Sequence, residues 1–117
     1  MTQPLDPDVE AQSAAWFARL DAGDARGSWE LASEGFQAAI SPEAWGDKLR
    51  AARGPLGALT SRALAVEQHL DGLPGAPPGE YVVRQYHSVF GGTKAVVETL
   101  TLRREAGGWR VAGHFVR

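Results

Sequence analysis

Three runs rich in Val, Thr, Tyr, Phe and Leu close the chain: Tyr81 to Phe90, Lys94 to Arg104 and Trp109 to Arg117. They are separated by the short stretches that hold Gly91-Gly92 and, in Glu105 to Gly108, Gly107-Gly108. β-Branched and aromatic residues suit a pleated, half-buried surface, and glycines supply the positive φ of tight hairpins. The last third therefore reads as an antiparallel meander whose one face the rest of the chain must cover. With Gly91-Gly92 as a two-residue loop, Phe90 lies opposite Thr93. Glu105 to Gly108 as a four-residue connection then adds the last strand. The core-face rows become Tyr81, Leu102 and Val111; Val83, Leu100 and Gly113; Gln85, Glu98 and Phe115; and His87, Val96 and Arg117. The other face carries Glu80, Arg103 and Arg110, then Arg84, Thr99 and His114, then Tyr86, Val97 and Val116. A one-residue slip would exchange these faces.

Upstream, Asp6-Pro7 is a helix-start signal, and Val9, Ser13, Trp16 and Leu20 recur at helical spacing as far as about Asp21, with Phe17 widening the stripe. Gly23 ends this helix. Asp24 can cap a short second helix over about 25–33 that presents Trp29 and Ala32. Ser41-Pro42 opens a third helix over about 42–53, with Trp45, Leu49 and Ala52 on one side, and Gly54-Pro55 stops it. A first strand is expected over about 59–70, its Arg62 on the side of Leu64 and Val66. The later strands are expected at about 80–90, 94–104 and 109–117. Asp71 to Gly79 is too rich in proline for a helix or a central strand and reads as a stiff loop. The expected architecture is α+β: one domain, 1–117, with three N-terminal helices on one face of a four-stranded antiparallel meander.

The 117 residues suffice for a single core without staples, and the formal net charge of −2 offers no basic field for nucleic acid. Without cysteine there is no disulfide, thiol nucleophile or thiolate metal site. Met1 to Asp8 carries neither a basic leader nor an apolar h-region, and no run approaches the ~20 apolar residues of a membrane span. The expected compartment is the cytoplasm, a trimmed signal peptide being the alternative. No cofactor is expected, and no metal, because His69, His87 and His114 do not converge. Gly91-Gly92-Thr93-Lys94 lacks P-loop spacing, and no serine sits in a nucleophile-elbow pattern.

The pattern Trp16, Leu20-Asp21-x-Gly23, Ser28-Trp29, Phe36, Trp45, Arg53-Gly54-Pro55-Leu56-Gly57, Ser61-Arg62, Pro74-Gly75, Glu80-Tyr81-Val82-Val83, Glu98-Thr99-Leu100-Thr101-Leu102 and Gly108-Trp109-Arg110-Val111-Ala112-Gly113 resembles the bacterial "domain of unknown function 4019" family over nearly the whole chain. The resemblance implies a cystatin-like or nuclear-transport-factor-2-like shape, a curved sheet wrapped around helices with a cavity between, and it implies no established activity. His114 stands where that pattern commonly has Tyr. By the register above this departure falls on the outer surface.

Two constellations stand out as candidate sites. On the expected core face, Arg62, Gln85, His87 and Glu98 gather at one end of the sheet. There Glu98 and His87 could act as general base and acid, with Arg62 holding an anionic group and Trp16, Trp29 or Trp45 lining the pocket. The bland alternative is a buried Arg62–Glu98 ion pair with Gln85 adding hydrogen bonds, and the tryptophans as ordinary core. On the expected outer face, Tyr86, Val97, Val116 and Phe90 form an apolar band beside Arg84, Arg110 and His114, as a dimer or partner interface would. These features favour a non-catalytic module that binds a protein partner or a small apolar ligand and forms a homodimer through its sheet. The alternative is an isomerase or hydrolase using Glu98 and His87.

Overall fold

The structure is a computed structural model in which residues 7–117 are described. The helix-start residue Asp6 lies outside that range. The elements run α1 (Pro7–Asp21), α2 (Ala25–Glu30), α3 (Glu34–Ala39), α4 (Pro42–Arg53), β1 (Leu59–Leu70), β2 (Tyr81–Phe90), β3 (Lys94–Glu105) and β4 (Gly108–Val116). The strands form one antiparallel sheet in sequential order, with the helices on one face. This is the expected α+β arrangement, with one helix more than the three read from the sequence.

The caps explain the helices. Asp24 accepts from the Gly27 N–H at 2.9 Å, and Ser41 accepts from the Ala44 N–H at 3.1 Å with Pro42 opening α4. The extra helix arises at Ser33, whose hydroxyl accepts from the Phe36 N–H at 3.2 Å. Its own N–H is taken by the Val111 carbonyl at 2.7 Å, and Ala32 bridges Val111 in parallel. Docking on the edge of β4 thus ends α2 at Glu30, short of the expected 33, and α3 forms in the stretch beyond, where no helix was expected.

The helix-facing core joins Val9, Trp16, Phe17 and Leu20 of α1 to Trp45 and Leu49 of α4 and to Val82, Leu100, Leu102 and Val111 of the sheet. Trp16 and Trp45 lie with ring centroids 5.6 Å apart, and the Phe36 ring meets both edge-on.

Three details of register differ from the sequence reading. A shift in β1 between Leu64 and Val66 turns Val66, expected on the side of Arg62, to the opposite face. The other two move the candidate residues. The β2–β3 turn has three residues, not two: Phe90 pairs with Lys94, and the Thr93 N–H donates to the Phe90 carbonyl at 3.2 Å. Both glycines have positive φ, but the turn is also held from outside, by the Ala58 carbonyl on the Gly91 N–H and by Thr60 Oγ1 on the Gly92 N–H. The added residue exchanges the faces of β2. Val82, Arg84, Tyr86, Ser88 and Phe90 face the helices, while Val83, Gln85 and His87 face away. In β4 an irregularity between the pairs Leu102–Val111 and Thr101–Gly113 inserts Ala112 as an extra residue. Val111 and His114 therefore both face the helices, and Phe115 is 67 % exposed on the other side.

Tyr81 is buried, as expected of a core residue, but on the outer face. There the 71–79 loop covers it, and its hydroxyl donates to the Pro77 carbonyl at 2.6 Å. Arg103 holds the same loop through the Pro78 carbonyl at 3.0 Å. None of the described helices is long and apolar enough to cross a membrane.

Candidate functional site

Each strand contributes one side chain to a polar cluster inside the apolar core. Glu98 of β3 has no exposed surface. Its Oε1 accepts from Arg62 Nε of β1 at 2.8 Å and from Ser88 Oγ of β2 at 2.7 Å, and its Oε2 lies 3.0 Å from His114 Nε2 of β4. An ionised carboxylate only accepts hydrogen bonds, so Nε2 of His114 carries the donated proton. The guanidinium of Arg62 lies 3.9 Å above the centre of the Phe17 ring and reaches both Asp21 oxygens, at 2.9 and 3.1 Å. Asp21 also accepts from Arg53 Nη1 at 2.9 Å. The chain Arg53–Asp21–Arg62–Glu98–His114 therefore runs from the C-terminal ends of α1 and α4 through the core to β4. Asp21 is poorly placed against the negative end of the α1 dipole, and the two arginines offset this.

Burial would raise the carboxyl pKa of Glu98, but hydrogen bonds from His114, Arg62 and Ser88, with the charge of Arg62, outweigh it and hold the pKa down at about 2. Burial likewise disfavours the charged Arg62, and its bonds to Asp21 and Glu98 reverse that and raise its pKa.

The sequence-derived site is thus partly assembled. Arg62 and Glu98 meet as an ion pair. Gln85 and His87 do not join them: Gln85 pairs across from Thr99 on the opposite face, and His87 is exposed there. The imidazole beside Glu98 is His114, so this residue belongs to the interior and not to the outer surface. Trp16 is fully buried within 6.2 Å of the His114 ring, whereas Trp45 Nε1 donates to Ser28 Oγ and Trp29 Nε1 to the Ile40 carbonyl. Ser88, Asp21 and Arg53 were missed. With a three-residue turn, Ser88 comes onto the face of Glu98, so the missing signal was one residue of register.

The expected interface band is redistributed by the same shifts. Tyr86, Phe90 and Arg84 are buried against the helices, the side chain of His114 is 5 % exposed, and Val116 shares the Glu98 side. Val97 stays on the outer face, and Arg110 lies at the end of that face opposite Arg103, where it also donates to the Glu30 carbonyl at the end of α2 at 3.1 Å. Arg84 anchors a second buried cluster, 2.6 Å from Glu67, 2.9 Å from Glu10 and 3.1 Å from the Tyr86 hydroxyl. Burial opposes its charge, and those bonds keep it protonated by raising its pKa. Among the described residues no group of three or more His, Cys, Asp or Glu side chains is placed to hold a metal ion.

A model of the family described as "Protein of unknown function (DUF4019)" matches residues 12–114. Among solved structures, the chain is similar to a putative calcium/calmodulin-dependent protein kinase type II association domain from Thiobacillus denitrificans, with a TM-score of 0.60, 17 % identity and 97 % of each chain covered. It is also similar to Aln2 from a Streptomyces species, with a TM-score of 0.53 and 16 % identity over 98 % of this chain and 93 % of the other. At these identities the likeness is one of fold. No curated protein matches.

Proposed function

The chain belongs to the DUF4019 family of proteins of unknown function, and from that premise we propose a non-catalytic module that pairs with a second copy of itself through the outer face of its sheet. The observation that carries this reading is the composition of that face. Val66, Gln85, Thr99 and Phe115 form one row across all four strands, followed on one side by Ala63, His87 and Val97 and on the other by Gln68, Val83, Thr101 and Gly113. Apart from Arg117, which pairs with Val97 at the edge of the second row, these rows hold no Asp, Glu, Lys or Arg. A solvated face of an antiparallel sheet ordinarily alternates to polar and charged residues. Here Phe115 is 67 % and Val66 44 % exposed, with arginines only toward the ends. Apolar centres with charges at the rim are what an association surface requires. The Thiobacillus relative is described as an association domain, and the same reading suits this face.

The chemistry of the cluster supports the non-catalytic half. A carboxylate held at about 2 is a weak base at neutral pH, and the donors on both oxygens of Glu98 come from the protein itself. Its proposed imidazole partner, His87, is on the opposite face.

Sedimentation equilibrium tests the pairing. The unmutated chain is expected to be a dimer at about 50 µM, and Val97→Lys, which puts two like charges near the shared centre, to weaken it by at least about 100-fold. A monomeric unmutated chain at that concentration overturns the proposal.

A further inference from the structure

A groove of about 760 Å³ crosses the edge strand β4 at its extra residue, between α3 and α4 on one side and the 71–79 loop on the other. Its apolar walls are Phe36, Ile40, Trp45, Leu73, Tyr81 and Phe115, and Gly113 leaves a gap in the strand where a side chain would stand. The volume lies within the range of sites for small organic ligands.

The basic side chains lining the groove are Lys48, Arg103 and His114, and no carboxylate lines it, although acidic residues outnumber basic ones in the chain as a whole. Lys48 is exposed and enters no ion pair among the described residues. Arg103 is committed to the loop through the Pro78 carbonyl and lies 3.5 Å from Glu105. His114 is committed to Glu98. The uncommitted charge is therefore that of Lys48, at the end of an apolar wall formed by Trp45 and Ile40. We propose that this groove binds a small amphiphile, an apolar chain carrying one carboxylate, with the carboxylate at Lys48 and the chain lying across Gly113. The groove shares Thr101, Gly113 and Phe115 with the pairing face but neither Val66 nor Val97, so Val97→Lys separates the two proposals.

The test is calorimetric titration of the whole chain with decanoate and with uncharged 1-decanol at low salt. Decanoate is expected to bind one to one and more tightly than decanol. Lys48→Glu, at an exposed position without partners, is expected to weaken decanoate about tenfold and to leave decanol unchanged. Gly113→Val, whose Cβ would meet only Thr101 Cβ at 4.0 Å, is expected to weaken both ligands by filling the groove. Val97→Lys is expected to retain binding, so a failure of the pairing proposal leaves this result standing. The proposal is overturned if decanoate shows no saturable binding up to about 1 mM. It is equally overturned if Lys48→Glu leaves the preference for decanoate over decanol intact.

Discussion

Glu98→Gln should remove most of one step in the acid sensitivity of this fold. The carboxyl has a reference pKa of 4.5 and is held at about 2 in the folded protein. A folded pKa below the unfolded one means that the unfolded chain binds the proton more readily. Ionised Glu98 therefore contributes stability that is complete above about pH 4.5 and lost as pH falls through about 2. The difference corresponds to about 3 kcal/mol, of which about 2 kcal/mol is already lost at pH 3. Other carboxylates titrate in the same window, so the comparison with the variant isolates this one. Urea unfolding at pH 7, 5, 4 and 3 is expected to show the unmutated chain losing about 2 kcal/mol more than Glu98→Gln between pH 7 and pH 3. Parallel pH profiles for the two proteins would refute the argument, and so would a carboxyl titration by NMR with a midpoint at or above 4.5.

Removing one partner of the same pair should be worse than removing both. Arg62→Met alone leaves a buried carboxylate and is expected to cost about 3–5 kcal/mol in urea unfolding, whereas Arg62→Met with Glu98→Gln costs less than the sum of the single changes; additive losses would show that the two side chains are not coupled. Gly91→Ala is expected to cost about 1–3 kcal/mol, because φ there is +58° and a Cβ would come within 2.9 Å of the Leu56 carbonyl oxygen. Gly92→Ala, with positive φ but open space around it, should cost less, and the reverse order in urea unfolding would contradict the steric account.

The helix caps at Asp24 and Ser41, the strands and the Arg62–Glu98 pair could be read from the sequence because each rests on local chemistry or on the parity of a single strand. The relation between strands was less legible. Both parities of β2 carry apolar residues, Val82, Tyr86 and Phe90 on one and Tyr81, Val83 and Val89 on the other. Alternation alone therefore could not choose between a two-residue and a three-residue turn. The choice is made by Ala58 and Thr60, which hold Gly91 and Gly92 from across the sheet. Arg84 added to the ambiguity, since a buried arginine is unexpected until Glu10 and Glu67 are seen to meet it. The extra residue at Ala112 carried no turn signal, and it exchanged His114 with Phe115. Most of the change in the candidate site follows from these two one-residue shifts, and the new identity of the exposed face follows from them together with the shift between Leu64 and Val66 in β1.

The chain of charges from Arg53 to His114 also bears on how the molecule opens. The last turns of α1 and α4 are surface segments of the kind that usually fray first, yet Asp21 and Arg53 tie both, through Arg62, to a carboxylate buried under all four strands. Peeling either helix end away would remove a counter-charge from the protein interior. Partial opening is thereby penalised in favour of complete unfolding, so the backbone amides of these helix ends join the same cooperative unit as the sheet.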